Sequence, residues 1–359
     1  MVVCEDSLCV SCMACKAICP SGAIKTRYDA SKGMFLPYID SGKCTKCGLC
    51  NRTCPNNGLD ASYKPKKSLN RDGVLASYAL YSKDKKVQWN SASGGFVSQL
   101  LIELLKKGNY KKAFVVEFDN FFDVQAKLKR VTTRTEVLSA AKSKYVPVSV
   151  EEVIQSIKSG HIESSIVVST PCQLKAIKNA MGMFKRDDSS VLYIGLFCER
   201  IFNYNVYRHY EKEYGKFDSL CFKDKEPNGW PGDTTLIQCG RRVKIDRRVR
   251  MSLKPLYPVG RCDCCEDKLN GGADISVGDC YASKWSHMDG GVGGVSNILI
   301  RTEKGRLAFE SCREPFVVAD CTLKDVEIGQ AVYEYSFVEK AILKLKRYAL
   351  AALRRVVRR

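Results

Sequence analysis

Apolar residues follow two rhythms along the chain, and each predicts its own elements. Alternation or short continuous apolar runs predict strands over 23–28 and 34–39, joined by a turn at 31–33, and over 74–81, 113–118, 165–170 and 191–197. The stretch 87–89 reads as a strand returning from a turn at 82–85. Apolar residues three and four apart predict helices over 96–105, closed by Gly108, and over 148–157, capped by Gly160. Pro171 suits the first position of a helix running to Met181. Strand–helix–strand alternation from about 74 to 200 argues for an α/β unit with a largely parallel sheet. Later strand candidates at 220–223, 234–238, 243–245, 276–278 and 296–300 are less regular, and a helix over 303–311 follows the last.

The first sixty residues carry a different signal. Cys9, Cys12, Cys15 and Cys19 stand before Pro20 at the same spacing as Cys44, Cys47, Cys50 and Cys54 before Pro55. This duplicated run is the signature of a two-cluster bacterial ferredoxin, in which the fourth cysteine of each run serves the other cube. Cys9, Cys12, Cys15 and Cys54 would hold one [4Fe–4S] cluster, and Cys44, Cys47, Cys50 and Cys19 the second. Structural zinc uses cysteines in two pairs and has no need of a third at the same interval. A disulfide framework is the other alternative for so many cysteines.

The 359-residue chain contains 19 cysteines, and its formal net charge is +19. No basic segment followed by an apolar one opens it, and no run approaches the roughly 18 apolar residues of a membrane span. A cysteine-rich, cluster-binding chain of this kind suggests a cytoplasmic setting. The charge favours acidic partners, although no nucleic-acid-binding signature accompanies it. A tail over 336–359 has apolar residues at helical spacing (Ile342, Leu345, Ala349, Leu353, Val356) among many lysines and arginines. Such a helix suits an anionic membrane surface or an acidic partner, and equally a packed helix with a solvated face. The boundaries expected are a ferredoxin module at 1–62, a basic linker at 63–73, a core at 74–335 and the tail.

Four later cysteines stand where ligands tend to stand. Cys172 and Cys198 follow predicted strands and could face one crevice, while Cys262 and Cys265 form a C-x2-C pair. Small buried thiols, a Cys172–Cys198 disulfide or a zinc knuckle at 262/265 are alternatives that spacing alone leaves open.

Six motifs then resemble, in order, the beta subunits of coenzyme F420 hydrogenase and dehydrogenase. They are Trp89-Asn-Ser-Ala-Ser-Gly-Gly-Phe96, Ser143-Lys-Tyr-Val146, Ser169-Thr-Pro-Cys-Gln173, Phe222-Lys-Asp-Lys225 with Gly229-Trp230, Cys262-Asp-Cys-Cys265 and Ala273-Asp-Ile-Ser-Val-Gly-Asp279. The resemblance divides the core into the family's N-terminal region at 74–160 and C-terminal region at 161–335. It implies an α+β two-cluster module fused to an α/β flavoprotein core with a mixed sheet. It also implies FAD and a third [4Fe–4S] cluster on Cys172, Cys198, Cys262 and Cys265. The flavin region would comprise Ser93, Gly94 and Gly95, Ser143, Lys144 and Tyr145, and Thr170, Pro171 and Gln173. Glycines opening a helix can present free amides to a pyrophosphate, and Lys144 can neutralise a phosphate or face the flavin ring. The activity implied is an oxidoreductase joining hydride transfer at FAD, from reduced F420 or a similar carrier, to one-electron transfer toward a redox partner. Hydride transfer itself requires no protein acid or base, so no catalytic side chain is named. The alternative is an electron-transfer subunit, or a bacterial redox protein of a polysaccharide locus, that does not use F420.

Overall fold

The duplicated N-terminal segment folds as α1 (Ala14–Ile18), β1 (Ile24–Asp29), β2 (Met34–Ile39) and α2 (Leu49–Thr53). The computed structural model describes residues 4–59, 73–117 and 125–332. The tail expected at 336–359 and the linker, apart from Gly73, lie outside them.

The core continues with β3 (Ala76–Ser82), α3 (Lys85–Asn90), α4 (Phe96–Lys106), β4 (Lys112–Glu117), β5 (Ala126–Val131), α5 (Arg134–Ser139), β6 (Val148–Ser149) and α6 (Glu151–Ser159). Then come β7 (Ser165–Ser169), α7 (Pro171–Met183), β8 (Val191–Leu196), α8 (Asn205–Tyr214), β9 (Ser219–Asp224), β10 (Asp233–Gln238), β11 (Arg241–Ile245) and α9 (Arg247–Leu253). The last are β12 (Ile275–Asp279), β13 (Ser296–Ile300), α10 (Glu303–Ser311), β14 (Phe316–Asp320) and α11 (Leu323–Gly329).

Nine strands form one mixed sheet in the order β14-β3-β13-β12-β8-β7-β4-β5-β6. Its centre, β12-β8-β7-β4, is parallel, whereas β13, β3 and β14 on one flank and β5 on the other run antiparallel to their inner neighbours. The largely parallel sheet expected from the alternation is therefore limited to these four strands and the short parallel β5-β6 pair. Helices cover both faces. Val167 and Tyr193 pack with Ile154 and Ile157 of α6 and Ile177 of α7, while their strand neighbours Ile166, Leu192 and Ile194 pack with α4 and Phe309 of α10. Burial on both faces explains the continuous apolar runs of these strands.

Two local readings change. Residues 87–89 are not a returning strand: Asp84 accepts from the amides of Lys86 (2.9 Å) and Val87 (3.1 Å) and caps α3. The places beside β3 are already taken by β13 and β14. Val148 and Ser149 pair with β5, so the helix expected from 148 starts at Glu151.

The N-terminal module is seated on the core. Val150 N donates to Cys12 O (2.9 Å), Tyr204 N to Gly33 O (2.7 Å) and Lys158 Nζ to Ala17 O (2.9 Å). Ala14, Ile18 and Leu36 share a continuous apolar core with Val150, Ile154 and Tyr204. A separate antiparallel sheet, β11-β10-β9, forms a small outer layer.

Candidate metal centres and cofactor cavity

Both N-terminal runs use the same backbone device. Ser11 and Met13 in the first run, and Lys46 and Gly48 in the second, have φ between 51° and 73°, in the left-handed region. Left-handed residues are uncommon outside glycine, and alternating them turns the chain repeatedly about one point. Cys15 and Cys50 then ride on short helices, and Cys19 and Cys54 are their C-caps. Cys19, Cys44, Cys47 and Cys50 line one cavity. Cys9, Cys12, Cys15 and Cys54 line a second, with Cys4 as a fifth thiol. Backbone amides point at several of these sulfurs, including Ser11 N at Cys9 Sγ (3.4 Å), Asn56 N at Cys54 and Asn51 N at Cys50. Such donors stabilise thiolate ligands. Among the described residues all 19 cysteines are free, and no three His, Cys, Asp or Glu close on a single-ion position. The sulfurs surround volumes rather than a point, which suits a four-iron cube.

A third thiol group sits at the carboxyl edge of the parallel strands. β7 ends at Ser169 and runs through Thr170 into α7, which carries Cys172 in its first turn. Cys198 follows β8, its amide donating to Lys268 O (3.0 Å). Cys262 lies in the 3-10 turn Gly260–Cys264, and Cys265 is its C-cap. Burial pushes the Cys198 thiol far up, and the negative charges of Cys262, Cys172 and Cys265 push it further. Cys262 is raised to about 11 by burial, with Cys172 and Cys265 adding to it. Four sequence-distant thiols therefore converge. Cys172 also acts on Cys12, whose thiol burial raises first, so this group adjoins the first N-terminal cavity.

Asn270 frames this edge. Wholly buried with φ 55°, it donates Nδ2 to Ser169 O (2.9 Å) and Leu196 O (3.3 Å), tying together the ends of β7 and β8.

A cavity of about 910 Å³ lies between α3, the loop at 289–293 and the outer sheet. Its volume is of cofactor size. Lys85, Lys86, Lys142 and Arg242 line it together with the carboxylates of Asp224, Glu226 and Asp289, and Trp89 stands on its wall. Lys142 reaches Asp224 at 3.4 Å, and Arg242 pairs with the same carboxylate. Three residues beyond Lys142, the Tyr145 ring stands edge-on to Phe222 (5.4 Å) and Phe202 (6.4 Å). The Ile201 amide, next to Phe202, donates to the Cys262 sulfur. The third thiol group and the cavity are thus joined by a short packed wall.

Most residues expected at a flavin serve the frame. Ser93 Oγ donates to Val295 O (2.6 Å), and the Gly94 amide, expected to be free for a pyrophosphate, donates to Ser296 Oγ (3.1 Å). A Cβ on Gly94 would lie 2.6 Å from Leu80 O, so glycine is required there for close packing. Gly95 caps α4 in the left-handed region. Lys144 Nζ is taken up by the carbonyls of Ala140 and Ala141 at the end of α5, and burial lowers its pKa to about 8. Thr170 N donates to Gln173 Oε1 (2.9 Å) in the capping box of α7, with Pro171 at its first position. Ser143 is half-buried beside them.

Two of the quoted motifs, Phe222-Lys-Asp-Lys225 and the one ending at Asp279, meet in a buried polar group behind the cavity, a pairing that sequence reading did not supply. Lys223 pairs with Asp279, which also accepts from Tyr281 OH (2.7 Å). Burial would raise Asp279, but the Lys223 charge outweighs it and holds the carboxyl below its usual range. Lys225, wholly buried, donates to Gln88 O (2.6 Å) and Ser93 O (2.8 Å). Its alternation with Asp224 in Phe222-Lys-Asp-Lys225 was the available signal.

Three sequence models match. Residues 8–57 match a 4Fe-4S dicluster domain, 77–155 the N-terminal part of the coenzyme F420 hydrogenase/dehydrogenase beta subunit, and 162–323 its C-terminal part. Among solved structures, a chain of the F420-reducing [NiFe] hydrogenase complex from Methanosarcina barkeri is similar, with a TM-score of 0.53 and 19% identity. The match covers 71% of this chain and 85% of that one. No curated protein sequence matches.

Proposed function

The chain belongs to the coenzyme F420 hydrogenase/dehydrogenase beta-subunit family with an N-terminal 4Fe-4S dicluster domain, and we propose that it couples hydride chemistry at FAD to one-electron transfer. The observation that carries this reading is the convergence of Cys172, Cys198, Cys262 and Cys265 near a large cavity lined by charged side chains. In this reading those four thiols hold a third [4Fe–4S] cluster. The N-terminal runs hold two more, on Cys9, Cys12, Cys15 and Cys54 and on Cys19, Cys44, Cys47 and Cys50. When bound, a flavin supplies two-electron hydride transfer and the cubes supply single-electron steps.

The residues present fit these groups to different degrees. The cysteine cavities and their inward amides suit cubes. The four cations of the mixed lining suit the phosphates of FAD or of an anionic hydride carrier such as reduced F420. Lys85, Lys86, Lys142 and Arg242 would bind and orient it, and Trp89 would supply an aromatic wall. These side chains, rather than the Gly94 amide that donates to Ser296 Oγ, would hold the flavin. The packing of Cys172 against the apolar cluster that contains Cys12 supports an order in which the third cluster neighbours the first N-terminal one. The exposed Cys47 supports the second as the site facing a redox partner subunit or carrier protein.

Anaerobic protein analysed for iron, sulfide and flavin, then mixed with reduced F420, tests the proposal. About twelve irons per chain, bound FAD and bleaching of the cluster absorbance are expected. Protein with iron but no flavin, inert toward reduced F420, would be a one-electron carrier only.

A further inference from the structure

The first N-terminal cavity contains one sulfur too many. Cys4, Cys9, Cys12, Cys15 and Cys54 all line it, whereas a four-iron cube takes four protein thiolates. Cys4 precedes the dicluster match at 8–57 and has no counterpart ahead of the second run. Its thiol faces the same cavity as those of Cys54 and Cys9.

The peptide carrying it is held in place. Leu8 N and Cys9 N both donate to Glu5 O (3.0 and 3.1 Å), closing a turn directly after Cys4. Asn56, two residues beyond Cys54, donates Nδ2 to Leu8 O (2.6 Å) and accepts from Arg261 Nε (2.7 Å). The segments bearing Cys4 and Cys54 are thus clamped to each other and to the turn bearing Cys262.

We propose that Cys4 is a reserve ligand of the first cluster, able to replace Cys54 on its iron. The inference rests on the ligand assignment above. In the exchange one iron–sulfur bond forms to Cys4 and one breaks at Cys54. The proton of the Cys4 thiol ends on the leaving Cys54 thiolate, and no electron is gained or lost. The reserve protects the N-terminal cube that adjoins Cys172, so damage at Cys54 leaves that cube bound.

The test uses the full-length chain, prepared without oxygen. Cys54→Ala is expected to retain the wild-type iron content with an altered EPR signal, and Cys4→Ala alone to retain both. The Cys4→Ala/Cys54→Ala double variant and Cys15→Ala should each lose about four irons. Cys54→Ala losing as much iron as the double variant overturns the proposal. Full iron retention by Cys15→Ala overturns the ligand assignment instead. A second readout needs no variant: alkylation and mass spectrometry of wild-type protein after mild oxidation and anaerobic repair with ferrous iron and sulfide. A fraction with Cys54 labelled and Cys4 protected is expected, and labelling of Cys4 alone in every molecule overturns the exchange.

Discussion

Gly195 and Asn270 are in direct contact: a Cβ on Gly195 would fall 2.5 Å from Asn270 Cγ. A glycine in the middle of a buried strand is otherwise unfavourable. Here it makes room for the carboxamide that joins the ends of β7 and β8, from which Cys172 and Cys198 emerge.

Asn270→Ala removes the donor to Ser169 O and Leu196 O, leaving buried carbonyls unsatisfied at about 1–3 kcal/mol each. Gly195→Ala should act in the same direction by displacing the carboxamide. Both are expected to lower the urea midpoint and to lose third-site iron before N-terminal iron, followed by EPR. Uniform loss from all three sites would mean that Asn270 supports the whole fold rather than this edge.

Cys198→Ala takes away the thiol on which Cys172, Cys262 and Cys265 all act. Iron should fall from about twelve to about eight per chain, with the N-terminal EPR signals intact. Unchanged iron would remove Cys198 from the ligand set.

Much of this architecture was legible because it is local. The duplicated cysteine spacing reveals its own pairing, and Thr170-Pro171 announces a strand running into a helix. What escaped depends on distant partners. Residues 87–89 alternate like a strand, yet Asp84 caps a helix there once β13 and β14 occupy both sides of β3. The carbonyls that accept from Lys144 and Ser93 lie elsewhere in the chain or depend on its folding, and the sequence did not display them. Asn270 was missed although the Asn270-Gly271-Gly272 run marked a special backbone, since its role exists only after β7 and β8 lie side by side.

Lys225 should make stability depend on pH. Burial first, then the Lys223 and Lys142 charges, depress its pKa to about 7 despite Asp279 and Asp289. Below about 7 both folded and unfolded states hold the proton, and the contribution is flat. Above it the native state releases a proton that the unfolded chain keeps up to about 10.4, so stability rises with pH across that interval. Lys225→Met removes the titration but also the donor to Gln88 O and Ser93 O. The variant's deficit in melting temperature is therefore expected to be larger at pH 9 than at pH 6.5. Equal deficits at both pH values would place the Lys225 titration elsewhere.

The second N-terminal site should govern encounter with a carrier protein. Cys47 is exposed there, Lys46 lines the same cavity, and Lys43 and Arg52, close in sequence, are exposed as well. The first site, by contrast, is enclosed by the core, its ligand candidates buried under α6 and α7. An acidic one-electron carrier would meet the basic rim first, and such steering raises association rates about tenfold or more at low ionic strength. Lys43→Glu/Arg52→Glu should therefore slow electron exchange with an acidic ferredoxin by about tenfold in dilute buffer. The difference should vanish near 0.5 M salt, where screening acts over about 4–5 Å. Iron content and the reaction with a neutral dye should not change, since neither residue is a ligand candidate. Stopped-flow rates across a salt series decide it: parallel salt dependences for wild type and variant would mean that the partner docks on another face.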